Sequence, residues 1–368
     1  MLRRRPRRET APTPPTVALC GAGMIAGAHA AAATINGYPL VGVASRSATR
    51  AASQAAQWKT RALGYADLPA GADIVVVATP PHRHCADALT MLAGGAAVLV
   101  EKPLCRTLAE ADALVAASEV GGNVIAYGEN LLATAVLSAM IRHVGRLGAL
   151  THLEARSLQG LPTWGAFTTD DWGGGALFDL GVHPLAIVMV LAAAAGQGRA
   201  VAVRGALAGA DGHGSDEWGE VYLRFAGGAT ARVEASWRHG PAPMWDAQVA
   251  SATGVLRAEL MPEISLELNG DQVEIARPHR GQVPPQLDPI VDYGYAAQLS
   301  LLAEARATAE EPACNVRFGR DVLEVVCAAY ASAACGAGRA TDADEISLPW
   351  SGRRDLTPLQ LWRGTGAS

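Results

Sequence analysis

The chain has 368 residues, of which 50% are hydrophobic and 18% charged, enough apolar material for more than one core, and its length makes two domains the natural expectation. A formal net charge of -5 lacks the basic footprint of a nucleic-acid binder, and no run reaches the roughly 18 strongly apolar residues of a membrane span. The six cysteines, Cys20, Cys85, Cys105, Cys314, Cys327 and Cys335, stand without C-x-x-C spacing or paired histidines, which points to reduced thiols in a cytoplasmic protein and to neither a disulfide framework nor a metal site.

Residues 1–15 carry five Arg and one Glu. No apolar stretch follows the twin arginines, as an export signal requires, so this segment reads as a disordered tail. Thr16 to Cys20 is a β-rich run that breaks into Gly21-Ala22-Gly23-Met24-Ile25-Ala26-Gly27 and then an alanine-rich helix. Between a strand and a helix, G-x-G-x-x-[GA] predicts a dinucleotide site. Gly21 permits the turn, Gly23 lets backbone approach a pyrophosphate, and Ala26 packs helix on sheet, while the free N–H groups around Ala22, Met24 and Ile25 face the phosphates. The next strand, Pro39 to Ala44, ends in Ser45-Arg46-Ser47. An NAD site carries an acidic residue there; a hydroxyl and a guanidinium suit a 2'-phosphate, so NADP is the preferred cofactor and NAD the alternative.

Ala72 to Thr79 is a buried strand followed by Pro80-Pro81-His82-Arg83-His84, and a helix then stops at Gly94-Gly95. Ala96 to Pro103 is the next strand, ending in Glu101-Lys102-Pro103. At the carboxyl end of a parallel strand Lys102 projects into the ligand crevice, and Glu101 offsets its charge. Thr107 and Glu110 form a capping box, and Val124 to Tyr127 adds a strand. The β-α-β-α order predicts a doubly wound parallel sheet, a Rossmann domain, over residues 16–130.

After a linking helix over Leu131 to Val144 the period changes to two. Val221, Leu223 and Phe225 alternate with polar positions before Gly227-Gly228, and Asn269-Gly270 separates two further runs as a hairpin turn. Residues 131–350 therefore read as an α+β domain with a large, mostly antiparallel sheet, and 351–368 as a C-terminal tail. Between helix and hairpins lies Trp172-Gly-Gly-Gly-Ala-Leu-Phe-Asp179-Leu-Gly-Val-His183-Pro184. On one helix, Asp179 and His183 share a face, and a carboxylate one turn from an imidazole orients it as a base for an alcohol proton. The glycine run permits close approach of a ligand, and Pro184 predicts a kink or a late helix start. Trp164, Trp172, Trp218, Trp237 and Trp245 suit an aromatic or apolar ligand or serve as core. His213 and His239 read as surface or structural histidines.

Gly21-x-Gly23 with Ala26 and His29, Pro80-Pro81-x-x-His84, Glu101-Lys102-Pro103 and the Gly-Gly-Gly-x-Leu-x-Asp179-x-Gly-x-His183 segment together resemble the Gfo/Idh/MocA family, over about Thr16 to Pro349. The resemblance implies an NAD(P)-dependent dehydrogenase or reductase, a cis peptide at Lys102-Pro103, and a homodimer or homotetramer formed through the second-domain sheet. It adds Thr79, Pro80, Pro81, His84, Glu101 and Lys102 to the cofactor contacts, and places Asn130, Trp172, Lys102, Asp179 and His183 at a small-molecule substrate. Two departures stand out: Ala186 replaces the family's last Asp, and the arginine following Asn130 is missing. The reaction expected is hydride transfer between nicotinamide and a secondary alcohol or ketone of a sugar or polyol, with Lys102, His183 and Asp179 catalytic. The alternatives are a non-catalytic NAD(P)-binding metabolite sensor, and a reductase of a less polar dihydrodiol, imine or unsaturated ring.

Overall fold

A computed structural model describes residues 13–163, 165–209, 214–277, 281–334 and 339–364. Residues 1–12 of the expected tail, Trp164, His213 and Cys335 lie outside the described residues.

The first half alternates β1 (Val17–Cys20), α1 (Met24–Ile35), β2 (Leu40–Ala44), α2 (Ala48–Gln57), β3 (Ile74–Val77), α3 (Pro81–Ala93), β4 (Ala97–Glu101), α4 (Leu108–Ser118) and β5 (Ile125–Gly128). The five strands pair in parallel in the order β2-β1-β3-β4-β5. Every residue of β1, β3 and β4 is buried, because helices cover both sheet faces, and this is why these strands read as unbroken apolar runs. The winding reverses between β1 and β3, so a crevice opens at their carboxyl ends where the glycine turn leaves β1.

The second half begins with α5 (Ala135–Val144), β6 (Leu150–Leu158), α6 (Ala176–Asp179) and α7 (Val182–Ala194). Strands β7 (Ala200–Gly209), β8 (Asp216–Phe225), β9 (Thr230–Ser236), β10 (Met244–Ser251), β11 (Val255–Met261), β12 (Ser265–Leu268) and β13 (Asp271–Gln272) follow. Helices α8 (Asp288–Asp292), α9 (Tyr295–Thr308) and α10 (Val316–Ala333), strand β14 (Ile346–Ser347) and helix α11 (Pro358–Arg363) complete the chain. The nine strands lie in the order β13-β12-β11-β10-β6-β9-β8-β7-β14. All neighbours are antiparallel except β6 and β9, since β6 enters from α5 and inserts between two later strands. Asn269 and Gly270, both at positive φ, form the expected turn from β12 to β13.

One sheet face packs apolar side chains of β6 to β11 against the helices. The other carries paired charges: Arg232 meets Glu154, Glu220 and Glu234, and Arg156 meets Asp246. Helix α9 returns to the first half, where Ala296, Leu299, Leu302 and Ala305 pack with Val17, Leu19, Ile74 and Leu99. The segment expected as a C-terminal tail holds α11, which carries its own Thr357/Gln360 capping box. Buried Leu359 donates its N–H to the Gly173 carbonyl at 2.9 Å, so this segment closes against the glycine run. Among the described residues no helix is long and apolar enough to cross a membrane.

Candidate active site

The glycine turn has the geometry a dinucleotide requires. Gly21 sits at φ +125°, and a Cβ there would lie 2.4 Å from the Ala78 carbonyl oxygen; only glycine fits that turn. A Cβ on Gly23 would meet nothing within 4 Å, so its backbone lines open space. Helix α1 starts there without a side-chain cap, leaving first-turn N–H groups directed at that space, as a pyrophosphate requires. These observations fit a bound dinucleotide. Arg46 stands exposed at the end of β2 beside half-buried Ser45, and Ser47 caps α2 through its hydroxyl.

The residues after β3 turn inward. Pro80 and Pro81 open α3, and the Thr79 hydroxyl donates to Asp87 at 2.8 Å. His84 is buried, with Nε2 2.6 Å from the Thr79 carbonyl and Nδ1 2.9 Å from the Pro103 carbonyl. Its ring ties the β3 loop to the Glu101-Lys102-Pro103 turn, so both ring nitrogens are spent on protein. Glu101 is equally internal: one oxygen meets His29 Nε2 at 2.7 Å and the other accepts the Lys102 N–H. The Lys102-Pro103 peptide is cis.

Lys102 Nζ donates to the Asp179 carboxylate and to the Asp179 carbonyl, each at 3.1 Å. Burial works against its charge, but Asp179, Glu101 and Glu129 together outweigh burial and raise its pKa above the ordinary lysine value. Lys102 is therefore a fixed cation. Its side chain keeps 18% exposure while that of Asp179 keeps 4%, so the lysine is the member of the pair that reaches the crevice.

The expected Asp179–His183 pairing on one helix face is corrected by the structure. Helix α6 ends at Asp179, Gly181 is the N-cap of α7, and the two residues fall on different helices. Glycine makes the break possible, since a Cβ on residue 181 would lie 2.4 Å from the Leu177 carbonyl oxygen. Pro184 then sits in the first turn of α7, where its missing N–H costs no hydrogen bond; the late start is as expected. His183 instead meets Glu129, with Nδ1 2.7 Å from Oε1 and both side chains buried. The Trp245 ring lies against the imidazole at a centroid distance of 5.0 Å.

Two further expectations are revised. The amide of Asn130 donates to the Tyr293 carbonyl at 2.8 Å, so it holds the chain entering α9. The glycine run accommodates protein rather than ligand: Cβ atoms on Gly174 and Gly175 would collide with Phe178 and with Asp216. Trp172 packs on Phe167 at 4.4 Å, and Phe167 in turn faces Trp237 at 6.2 Å.

Sequence reasoning missed Glu129 and Asp216. Glu129 follows β5 as Glu101 ends β4, a strand-end carboxylate pointing to the same crevice. Asp216 accepts the N–H groups of Gly175 and Leu177 and the Tyr330 hydroxyl, so it anchors α6, which carries Asp179, to the second sheet. Among the described residues the five cysteines are free and no metal-ligating cluster occurs.

A doubly wound crevice with a glycine turn, joined to a nine-stranded sheet and sharing a Lys–Asp and a His–Glu pair, defines a two-domain nicotinamide-dinucleotide oxidoreductase scaffold. Residues 16–129 match the model of the oxidoreductase family with NAD-binding Rossmann fold, and residues 137–257 match the GFO/IDH/MocA C-terminal domain. The chain belongs to the Gfo/Idh/MocA family of oxidoreductases. It is 38% identical over 117 residues to a protein of Amycolatopsis mediterranei described as a UDP-kanosamine synthase oxidoreductase subunit, covering 31% of this chain and 32% of that protein. It is 31% identical over 156 residues to UDP-N-acetylglucosamine 3-dehydrogenase of Acidithiobacillus ferrooxidans, covering 42% of this chain and 47% of that enzyme. The matches thus span less than half the length of either relative. The fold is similar to that of GenD2 from gentamicin A biosynthesis in complex with NAD, with a TM-score of 0.78 at 24% identity over 94% of this chain and 99% of that one.

Proposed function

We propose that the protein is an NAD(P)-dependent dehydrogenase that moves a hydride between nicotinamide and a secondary carbinol of a sugar or sugar derivative. The observation that carries this reading is two buried side-chain pairs, the Lys102–Asp179 ion pair and the His183–Glu129 hydrogen bond, beside a glycine turn shaped for a dinucleotide. A nicotinamide in that crevice supplies the hydride acceptor or donor. The chain supplies the proton chemistry. Held cationic by Asp179, Lys102 hydrogen-bonds the reacting oxygen and stabilises negative charge on it. His183 takes or returns the hydroxyl proton through Nε2, because Glu129 engages Nδ1 and so selects the tautomer. Asp179 acts through Lys102, and Glu129 through His183.

The names of the relatives support a sugar-type substrate, and the absence of an acidic residue at Ser45-Arg46-Ser47 supports NADP over NAD. A homodimer or homotetramer through the charged face of the second sheet completes the proposal. Its test is titration of the protein with NADPH and NADH by nicotinamide fluorescence, for wild type and Arg46→Ala. The expected result is NADPH binding that weakens about 10-fold in the variant with NADH unchanged, as loss of one charge-assisted phosphate contact predicts. Failure of wild type to bind either cofactor overturns the assignment, and a single-protomer mass in light scattering overturns the oligomer.

A further inference from the structure

The single turn of α6 is held at both ends by side chains from elsewhere in the fold. A helix this short satisfies few of its own backbone groups, so its placement depends on partners outside it. At its start the Gly175 N–H donates to Asp216 Oδ1 and the Leu177 N–H to Asp216 Oδ2, each at 2.9 Å. Gly175 is the N-cap and has no side chain to serve as one; the cap comes instead from the first residue of β8. Behind it, the Tyr330 hydroxyl of α10 donates to Asp216 Oδ1 at 2.5 Å and also accepts the Gly175 N–H at 3.0 Å. Both side chains are fully buried. The glycine run is shaped around them: a Cβ on Gly175 would collide with Asp216, and one on Gly174 would come within 3.0 Å of the Tyr330 hydroxyl. Three neutral donors thus converge on Asp216, a set that an acceptor-only carboxylate satisfies and an amide does not.

At the other end the Asp179 N–H closes the turn on the Gly175 carbonyl at 2.9 Å. Asp179 then gives both its carboxylate and its own carbonyl to Lys102 Nζ. The cation lies at the carboxyl end of the turn and the Asp216 carboxylate at its amino end, the placement of charge that a helix favours. Gly175 links the two, because its N–H is held by Asp216 and its carbonyl holds the backbone of Asp179.

We infer that Asp216, backed by Tyr330, is a positioning residue for Lys102: it fixes the amino end of α6 so that Asp179, at the carboxyl end, presents two oxygens to the Lys102 ammonium. Its part in the reaction rests on the dehydrogenase reading, in which Lys102 meets the reacting oxygen, but the test reads the lysine itself. The chain has two lysines, Lys59 and Lys102, and Lys59 is exposed. Protein made with carbon-13 lysine therefore gives two Cε methylene signals in NMR, assigned with Lys59→Arg. A held lysine shows two distinct Hε shifts and a mobile one a single averaged shift. Spectra are taken at a pH well above the value of about 6 to which burial pushes the Asp216 carboxyl, for wild type, Asp216→Asn, Tyr330→Phe and Asp179→Leu.

In wild type Lys102 shows two Hε shifts and Lys59 one. Asp179→Leu collapses the Lys102 pair to the averaged shift, Asp216→Asn narrows it toward that limit, and Tyr330→Phe narrows it by less. In none of the three does the Lys59 signal move or the NADH or NADPH dissociation constant change by more than about twofold, within about 0.4 kcal/mol. A wild-type Lys102 pair in folded Asp216→Asn overturns the inference, and so does one in Asp179→Leu, since Asp179 is then not what holds the lysine. Narrowing accompanied by weakened cofactor binding also overturns it, because the variant then acts through the fold at large. Should Asp216→Asn not fold, Tyr330→Phe decides, and a Lys102 pair unchanged in that variant overturns the inference. Failure of wild type to bind either cofactor removes the dehydrogenase reading instead, and leaves the coupling of Asp216 to Lys102 to stand on its own signal.

Discussion

Glu129→Gln isolates the partner of the proposed base. Glu129 Oε1 lies 2.7 Å from His183 Nδ1 and also accepts the Leu131 N–H at 3.3 Å. A glutamine carbonyl oxygen in the same place accepts both donors, so the ring keeps its orientation while the buried negative charge is lost. What disappears is the negative charge beside the ring that stabilises positive charge developing on it in the transition state. A hydrogen bond to a charged group is worth about 1.5–3 kcal/mol, and each 1.36 kcal/mol is about tenfold in rate. Single-turnover hydride transfer, followed by nicotinamide absorbance at saturating substrate, is therefore expected to slow about 10- to 100-fold. Cofactor affinity stays within about twofold and the melting temperature is preserved. His183→Ala slows the same step by about 10²- to 10⁴-fold, and adding Glu129→Gln to it costs little more, because Glu129 acts only through the ring. A Glu129→Gln rate within twofold of wild type refutes the assignment, as does an effect that adds fully to His183→Ala.

Two further outcomes concern charge. Lys102 has its pKa raised in the fold, so its stabilisation is complete below the ordinary lysine range and is lost only as pH rises through the raised value; the urea stability difference between wild type and Lys102→Met should be flat from about pH 6 to 9. That difference should be about 3 kcal/mol, because the variant strands a buried carboxylate, and adding Asp179→Leu should recover part of it; a loss that appears below about pH 9 contradicts the Lys102–Asp179 pairing. Burial pushes the Asp216 carboxyl up to about 6 despite its three donors. The native state therefore holds that proton more tightly than the unfolded chain, and stability from this group is present below about pH 4 and lost as pH rises to about 6. Asp216→Asn should remove that slope in the wild-type-minus-variant difference measured by urea titration, and an unchanged slope excludes Asp216 as its source.

Local signals carried most of the first domain. Strands β1, β3 and β4 are buried on both faces and so were plain as apolar runs; the glycine turn, the Thr107/Glu110 capping box and the Asn269-Gly270 hairpin depend on neighbours within a few residues. The parts that were not legible are long-range. Strand β6 lies parallel to β9 because it inserts between strands that follow it by some eighty residues in register, His152 opposite Thr230. Strand β7 and the return of α9 to the first sheet likewise follow from packing that no periodicity announces. In the site, Lys102, Asp179 and His183 were each legible as residues, but their partners were not.

The exchange of partners has a physical logic. Had Asp179 served both Lys102 and His183, one carboxylate would have faced two cations in the protonated state of the base, and two chemical roles would have shared one charge. The Leu180-Gly181 break between α6 and α7 prevents this: it leaves Asp179 at the end of one helix, against Lys102, and places His183 in the first turn of the next, against Glu129. Each side chain then has its own nearest carboxylate, Asp179 for Lys102 and Glu129 for His183, and Glu129 also adds to the field that holds Lys102 cationic. Gly181 is the residue that permits the break, since any Cβ there would run into the Leu177 carbonyl. The spacing of four between Asp179 and His183 thus reflects a helix interrupted between two residues that take different partners, Lys102 and Glu129.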